Sequence, residues 1–330
     1  MSSIPRRSLL LTLALAGCAT HLVPIGPVTT PPRATDDAFV MPDGMRLPYR
    51  AWLPAGPPET PPWAVMLALH GMNDSRDAWE LSAPDFADAG IAVFSPDQRG
   101  FGATAVRGYW PGTPSLVDDA RTMAALLRAR YPAARLILMG ESMGAAELMC
   151  LATAPDAPAD VSYVLVSPAV WDRAEMNPFE RSALWVLANL APGMTTTGAA
   201  AHVWASDNIK ALIRLSRDPL TLHETRFDAI DGLVNLMDAA AAAAPRFHAP
   251  ALFLYGGQDE LIPARAAAHL WRTLPKGPVR AFYPHGFHLL LRDLGRAAPI
   301  TDILAWLMDP AAPLPSGAEA AATAWLARQP

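Results

Sequence analysis

Leu136-Ile137-Leu138-Met139-Gly140-Glu141-Ser142-Met143-Gly144-Ala145-Ala146-Glu147-Leu148-Met149-Cys150-Leu151 is the stretch whose reading decides the fold. An apolar run of strand character enters Gly-x-Ser-x-Gly, and a helix-like run leaves it. That is the setting of a nucleophile elbow, a sharp strand-to-helix turn that strains the central residue's backbone and lifts its side chain clear of the sheet. Strand and helix nearly collide at such a turn, so Gly140 and Gly144 supply the small flanks it needs. Ser142 then stands at a helix N-terminus, where free N–H groups and the helix dipole favour negative charge.

The segments on either side repeat the same layering. Residues 38–41 and 47–52 flank Pro42-Asp43-Gly44 and read as a hairpin. Residues 63–69 form a near-continuous apolar run ending at His70-Gly71, as a buried parallel strand does. A helical stretch over 79–89 leads to a second buried strand, 91–95, which ends in Asp97-Gln98-Arg99-Gly100-Phe101-Gly102. Helical periodicity over 118–130 stops at Tyr131-Pro132. After the elbow, strands are expected over 161–166, 251–255 and 279–283, with a helix over 264–274 between the last two. Alternating strands and helices predict an α/β fold whose mostly parallel sheet is covered on both faces. Ligand sites in such sheets lie at the carboxyl ends of the strands, and each polar motif above falls at such an end.

Residues 169–249 break the alternation and read as a helical cap over that edge. Its apolar residues, Phe179, Leu184, Trp185, Leu187 and Leu190 among them, either pack the cap helices together or line an acyl-chain tunnel. The core is then expected over 37–168 and 250–310. Residues 311–330 are left as a tail, with a Pro-rich linker before a peripheral helix over 318–327.

Composition narrows the function classes. The chain has 330 residues, 52% hydrophobic and 17% charged, with a formal net charge of −5. A large core is available, and no basic run or tail points to nucleic acid. Of the two cysteines, Cys18 lies in the leader and Cys150 on the elbow helix, which excludes a disulfide framework for the body. Cys150 reads as a small buried apolar residue. Residues 1–17 have the order of an export signal: Arg6-Arg7, a short apolar run, then small residues. Their end, Leu15-Ala16-Gly17-Cys18, resembles the lipobox of bacterial lipoproteins, which implies lipidation of Cys18 and attachment to a membrane of the cell envelope. Arg6-Arg7 also resembles a twin-arginine signal, leaving the export route open. Residues 18–36, with Pro24, Pro27, Pro31 and Pro32, read as an extended spacer between anchor and domain.

A serine nucleophile needs a base held by a third group, and behind an elbow the acid and then the histidine follow along the chain. Strand 251–255 ends in Gly256-Gly257-Gln258-Asp259-Glu260. Asp259 is the better acid, because the longer Glu260 is expected to point to solvent. Among His269, His285 and His288, His269 sits mid-helix. His288 is preferred to His285 because it opens the helical run Leu289-Leu290-Leu291-Arg292-Asp293. A tetrahedral intermediate also needs two donors aimed at its oxygen. The backbone N–H of Met143 is one candidate, and that of Met72, in His70-Gly71-Met72-Asn73-Asp74, is the other. His70 reads as structural.

Taken together, these stretches, with Ser167-Pro168-Ala169, Asp218-Pro219-Leu220 and Gly286-Phe287-His288, resemble the monoacylglycerol lipase and bacterial lysophospholipase branch of the α/β-hydrolases over roughly residues 37–310. The resemblance implies an eight-stranded hydrolase sheet, a cap between its sixth and seventh strands, a Ser142–His288–Asp259 triad, no cofactor and hydrolysis of lipid-like esters. Glu141 stands where the better-known glyceride lipases have histidine, which weakens a transfer of glyceride specificity. The expected substrate is a single-chain amphiphile, a lysophospholipid or monoacylglycerol. The alternatives are a carboxylesterase on small soluble esters, a serine peptidase, and a catalytically silent binding lipoprotein.

Overall fold

A computed structural model describes residues 22–56, 61–197 and 203–329. The signal expected over 1–17 and its Cys18 lie outside the described residues. Nine strands form the main sheet: β1 Arg33–Ala34, β2 Ala38–Val40, β3 Arg46–Trp52, β4 Ala64–Leu69, β5 Ile91–Pro96, β6 Arg135–Glu141, β7 Val161–Val166, β10 Ala251–Gly256 and β11 Val279–Tyr283. Their spatial order is β1-β2-β3-β5-β4-β6-β7-β10-β11. The first three strands and the β3–β5 pair are antiparallel, and the remaining pairs are parallel.

Every residue of β4, β5 and β10 is buried, as a sheet covered on both faces requires. The two-residue period sends Val65, Leu67 and Leu69 into one core, and Ala64, Met66 and Ala68 into the other. Helices α2 (Thr113–Arg130), α3 (Met143–Ala152) and α7 (Ala264–Thr273) pack on the first face. Helices α1 (Ala83–Asp88) and α8 (Ala297–Met308) pack on the second. Each fully buried Leu or Val contributes about 1.5–3 kcal/mol, so this two-sided core supplies most of the driving force for the layers.

Between β7 and β10 the chain leaves the sheet. It forms α4 (Pro178–Leu190), β8 (Thr195–Thr196), α5 (Ile209–Leu215), β9 (Thr225–Arg226) and α6 (Phe227–Ala243). Helix α4 begins with a full capping box: Asn177 accepts from Phe179 and Glu180, and Glu180 reaches back to the Asn177 N–H. Helix α6 packs on the elbow helix, with Val234, Leu236 and Met237 in the same core as Ala145, Leu148 and Met149.

Several local expectations differ from the structure. The helix expected over 79–89 is only Ala83–Asp88, because Pro84 fits the first turn of a helix but not its interior. Helix α2 begins at Thr113, five positions earlier than expected, again with a proline in its first turn. A ninth strand, β1, extends the expected eight. It arises from the Pro-rich stretch, which from Leu22 onward lies along the body rather than standing off it. Leu22 bridges to Trp110, the Val23 N–H bonds Trp110 O at 3.0 Å, and Thr29 and Thr30 both donate to Pro42 O. The tail also joins the core. Helix α9 (Ala318–Leu326) packs on the edge strand β11, with Trp325 stacked on Phe282 at 4.9 Å and touching Tyr255 and Trp271. That covers an edge which would otherwise offer unpaired backbone groups. Finally, residues 289–293 are a chain of turns, not a helical run.

Candidate active site

Strand β6 ends at Glu141 and α3 begins at Met143, so Ser142 is itself the turn. Its backbone sits at φ 54°, ψ −112°, a region that costs on the order of 1–3 kcal/mol for a residue with a Cβ. Neighbouring backbone holds it there. The Ser142 N–H donates to Val166 O at 2.9 Å, and Ser142 O accepts from Ala146 and Ala169, each at 3.0 Å. The glycines are required by space. A Cβ on Gly140 would lie 2.5 Å from the Gly144 carbonyl carbon, and one on Gly144 would lie 2.4 Å from Leu69 O. The Ser142 hydroxyl does not cap its own helix, which leaves it free to face outward.

The acid and the imidazole meet directly. The loop after β10 carries Asp259, whose Oδ1 accepts from the N–H groups of Leu261 (2.8 Å) and Ile262 (2.9 Å). Its Oδ2 lies 2.8 Å from His288 Nδ1, and both side chains are almost wholly buried. A carboxylate at Nδ1 assigns the proton to that nitrogen and leaves Nε2 with its lone pair. Burial alone would lower the His288 pKa. The Asp259 charge and hydrogen bond outweigh it, Glu141 adds to them, and the net pKa lies above the ordinary histidine value.

Ser142 and His288 both line one cavity of about 450 Å³ between the sheet edge and the cap. Its walls are largely apolar, with Trp171, Met176, Leu233, Val234, Met237 and Ile262 prominent. Some of the cap's apolar residues therefore do face the site. Those of α4 do not: Phe179, Trp185 and Leu190 are exposed on the outer surface. Met72 also lines the cavity, in the loop after β4, and Met143 is the first residue of α3. Neither N–H has a partner among the described residues. Gly71 lets this loop approach closely, since a Cβ there would lie 3.3 Å from Ser142 Cβ. Asn73 follows in a left-handed conformation, φ 66°, and its carbonyl accepts from Leu222 of the cap at 2.8 Å.

The remaining candidates fall elsewhere. His269 and His285 are exposed. Glu260 is exposed as well, but it accepts from the Trp204 N–H at 2.6 Å. His70 is fully buried, with Nδ1 2.8 Å from Gly71 O and Nε2 accepting from the Gln98 N–H at 3.1 Å. Burial pushes its pKa down, so it holds two loops together as a neutral ring. Burial pushes the Cys150 thiol up to about 12, which removes it as a nucleophile.

One feature of the site escaped the sequence reading. Arg292 is buried between Asp74, to which its Nη2 is bonded, and Glu141, 3.4 Å away. Both carboxylates line the cavity. Burial raises the Glu141 pKa to about 7 despite Arg292. An arginine directly after the apolar run Leu289-Leu290-Leu291 was the available signal, because buried arginine is almost always paired.

Asp259 and Glu141 together predict the pH dependence. A base must be neutral to accept a proton, and a raised pKa keeps His288 charged to higher pH. With His288 as the base proposed below, the acidic limb of kcat/KM is expected above the ordinary histidine value of 6.5, with activity lost as pH falls through it. A pH–rate profile whose acidic limb lies below 6.5 would contradict this.

Comparison with known proteins agrees with the fold. A profile of the Hydrolase_4 family, described as serine aminopeptidase, S33, matches residues 60–295. A monoacylglycerol lipase of Mycolicibacterium smegmatis is 25% identical over 278 residues, 83% of this chain and 97% of that protein. A soluble variant of the monoglyceride lipase of Saccharomyces cerevisiae, solved with a substrate analogue, superposes with a TM-score of 0.69 at 18% identity, covering 87% of this chain and 98% of that one. The monoacylglycerol lipase of Paleococcus ferrophilus gives a TM-score of 0.66 at 20% identity over 79% of this chain and 98% of that one.

Proposed function

This chain belongs to the Hydrolase_4 family of α/β-hydrolases, and from that premise we propose that it hydrolyses single-chain lipid esters, lysophospholipids or monoacylglycerols, through a Ser142–His288–Asp259 acyl-enzyme. The observation that carries the reading is the buried Asp259–His288 bond opening onto the same apolar cavity as the strained Ser142. Ser142 Oγ attacks the ester carbonyl while His288 Nε2 takes its proton. Asp259 holds the ring and stabilises its charged form. The N–H groups of Met72 and Met143 receive the oxyanion. His288 returns the proton to the leaving alcohol, then activates water to release the acid.

Two features of the cavity favour this substrate class. Its mostly apolar wall suits an acyl chain. Asn73 Oδ1 and Thr221 Oγ1, on residues that line the cavity, are buried without partners among the described residues, and the hydroxyls of a glycerol head group would supply them. The family's description names a peptidase, and an aminopeptidase must pair a free substrate ammonium with a carboxylate. Here the cavity carboxylates Asp74 and Glu141 already share Arg292, which favours the ester. Turnover of monoacylglycerols and lysophospholipids is expected to rise with acyl length from short to medium chains, with little cleavage of aminoacyl arylamides. Faster cleavage of the arylamides, or no dependence on acyl length, would overturn the assignment.

The same reading includes a lipid anchor on Cys18 at a bacterial envelope membrane. Cys18 precedes Leu22 by four positions, a reach of at most about 14 Å, and Leu22 is fixed beside Trp110. Trp110 in turn meets Gly232 of α6. A tether this short favours a body held close to the lipid surface. Cys18→Ser is expected to move the protein from the membrane to the soluble fraction and to abolish incorporation of labelled palmitate. Unchanged labelling would sink the anchor.

A further inference from the structure

The loop carrying His288 is not held by the sheet alone. On one side of the histidine, the Phe287 N–H donates to Asp293 Oδ2 at 2.7 Å. On the other, the Leu289 N–H donates to Ala205 O, in the cap, at 2.8 Å. Asp293 is itself tied to the cap, its Oδ1 accepting from the Ser206 hydroxyl at 2.6 Å. Asn208 Nδ2 donates to Arg292 O at 2.9 Å, and the Leu294 N–H donates to Asp207 Oδ1 at 2.8 Å. The acid's loop is reached too, through the Trp204 N–H and Glu260 Oε2. Ser206 and Asn208 are buried, so their two bonds are shielded from water, whereas the Trp204–Glu260 and Leu294–Asp207 bonds lie at the surface. Five consecutive cap residues thus hold the segments beside both members of the Asp259–His288 couple, Ala205, Asp207 and Asn208 through backbone groups and Trp204 and Ser206 through the side chains of Glu260 and Asp293.

We propose that cap residues 204–208, through Ser206 and Asn208, are positioning residues that set the place of His288. The imidazole is then in line with Ser142 only while this part of the cap is seated. Ala205 lines the cavity, but Ser206 and Asn208 do not. They act by fixing the two peptide N–H groups that flank His288, and a misplacement of a reacting group by about 1 Å can cost on the order of a hundredfold in rate. The inference rests on His288 being the general base.

The test measures kcat, KM and the pH–rate profile on a short-chain aryl ester, using the full chain. Ser206→Ala removes the hydroxyl that ties Asp293 to the cap, and Asn208→Ala removes an independent link. Each is expected to lower kcat by about tenfold or more, with KM changed less than about twofold and the acidic limb displaced. Ser206→Thr keeps the hydroxyl and is expected to restore most of kcat. Phe179→Ser, on the outer face of α4, is the control for altering the cap without touching this segment. Parental kcat and pH profile in both alanine variants would overturn the proposal. So would a rise in KM alone, which would mean that the segment only shapes the cavity. Full activity in His288→Ala would instead sink the general-base reading, and the proposal with it.

Discussion

Ser142→Ala is expected to reduce turnover of a short-chain aryl ester by at least about 10⁴-fold while leaving the protein folded. The size follows from what the elbow supplies. In the proposed mechanism this hydroxyl is the group that forms the acyl-enzyme, and the N–H groups of Met143 and Met72 hold the oxyanion rather than supplying a second nucleophile. Cys150 cannot substitute, because its thiol is held protonated on the buried side of α3. The substitution removes one oxygen that has no hydrogen-bond partner among the described residues, so thermal stability should move little. Thermal unfolding and turnover measured on the same preparation check both halves. Substantial residual turnover would remove Ser142 from its role.

Asp259→Asn is expected to cost about 10⁴-fold in kcat, for a reason the contacts make specific. Asp259 Oδ1 already accepts two N–H groups, from Leu261 and Ile262. An asparagine would place its carbonyl oxygen there and turn its NH₂ toward His288 Nδ1. That nitrogen would then have to accept, which moves the ring proton to Nε2, the nitrogen that takes the proton from Ser142 in the proposed mechanism. The geometry survives and the tautomer is wrong. The change also removes the charge that raises the His288 pKa, so the acidic limb should shift to lower pH. Steady-state kinetics across pH checks it. A variant within tenfold of the parent at its optimum would exclude Asp259 as the orienting acid.

How much of this was legible in the sequence depends on whether the signal was local. Gly140-Glu141-Ser142-Met143-Gly144 announced the elbow because strand, turn and helix are contiguous there. Asp259 and His288 could be chosen because each follows a strand that could be read. The reason for preferring His288 was nonetheless incorrect. Residues 289–293 do not form a helical run; they are turns whose shape is set by bonds to the cap. Those bonds join positions 84 to 87 apart along the chain, and no periodicity records such a pairing. The Asp74–Arg292–Glu141 cluster was hidden for the same reason, apart from one charged residue directly after an apolar run. Proline explains the boundary errors in α1 and α2, where it marks a helix start that hydrophobic pattern alone misplaces. The Pro-rich stretch from Leu22 resembled a free spacer by composition, yet its N–H groups find partners at Trp110, Ser115 and Pro42. Trp325 in the tail was the clearest overlooked hint that the last helix belongs to the core.

The most direct measurement is the site of reaction with a fluorophosphonate probe, located by peptide mass spectrometry on the full chain at neutral pH. The account predicts one adduct, on the peptide containing Ser142, lost in Ser142→Ala and formed much more slowly in Asp259→Asn. No adduct, or an adduct at another residue formed at an undiminished rate in Ser142→Ala, would contradict it.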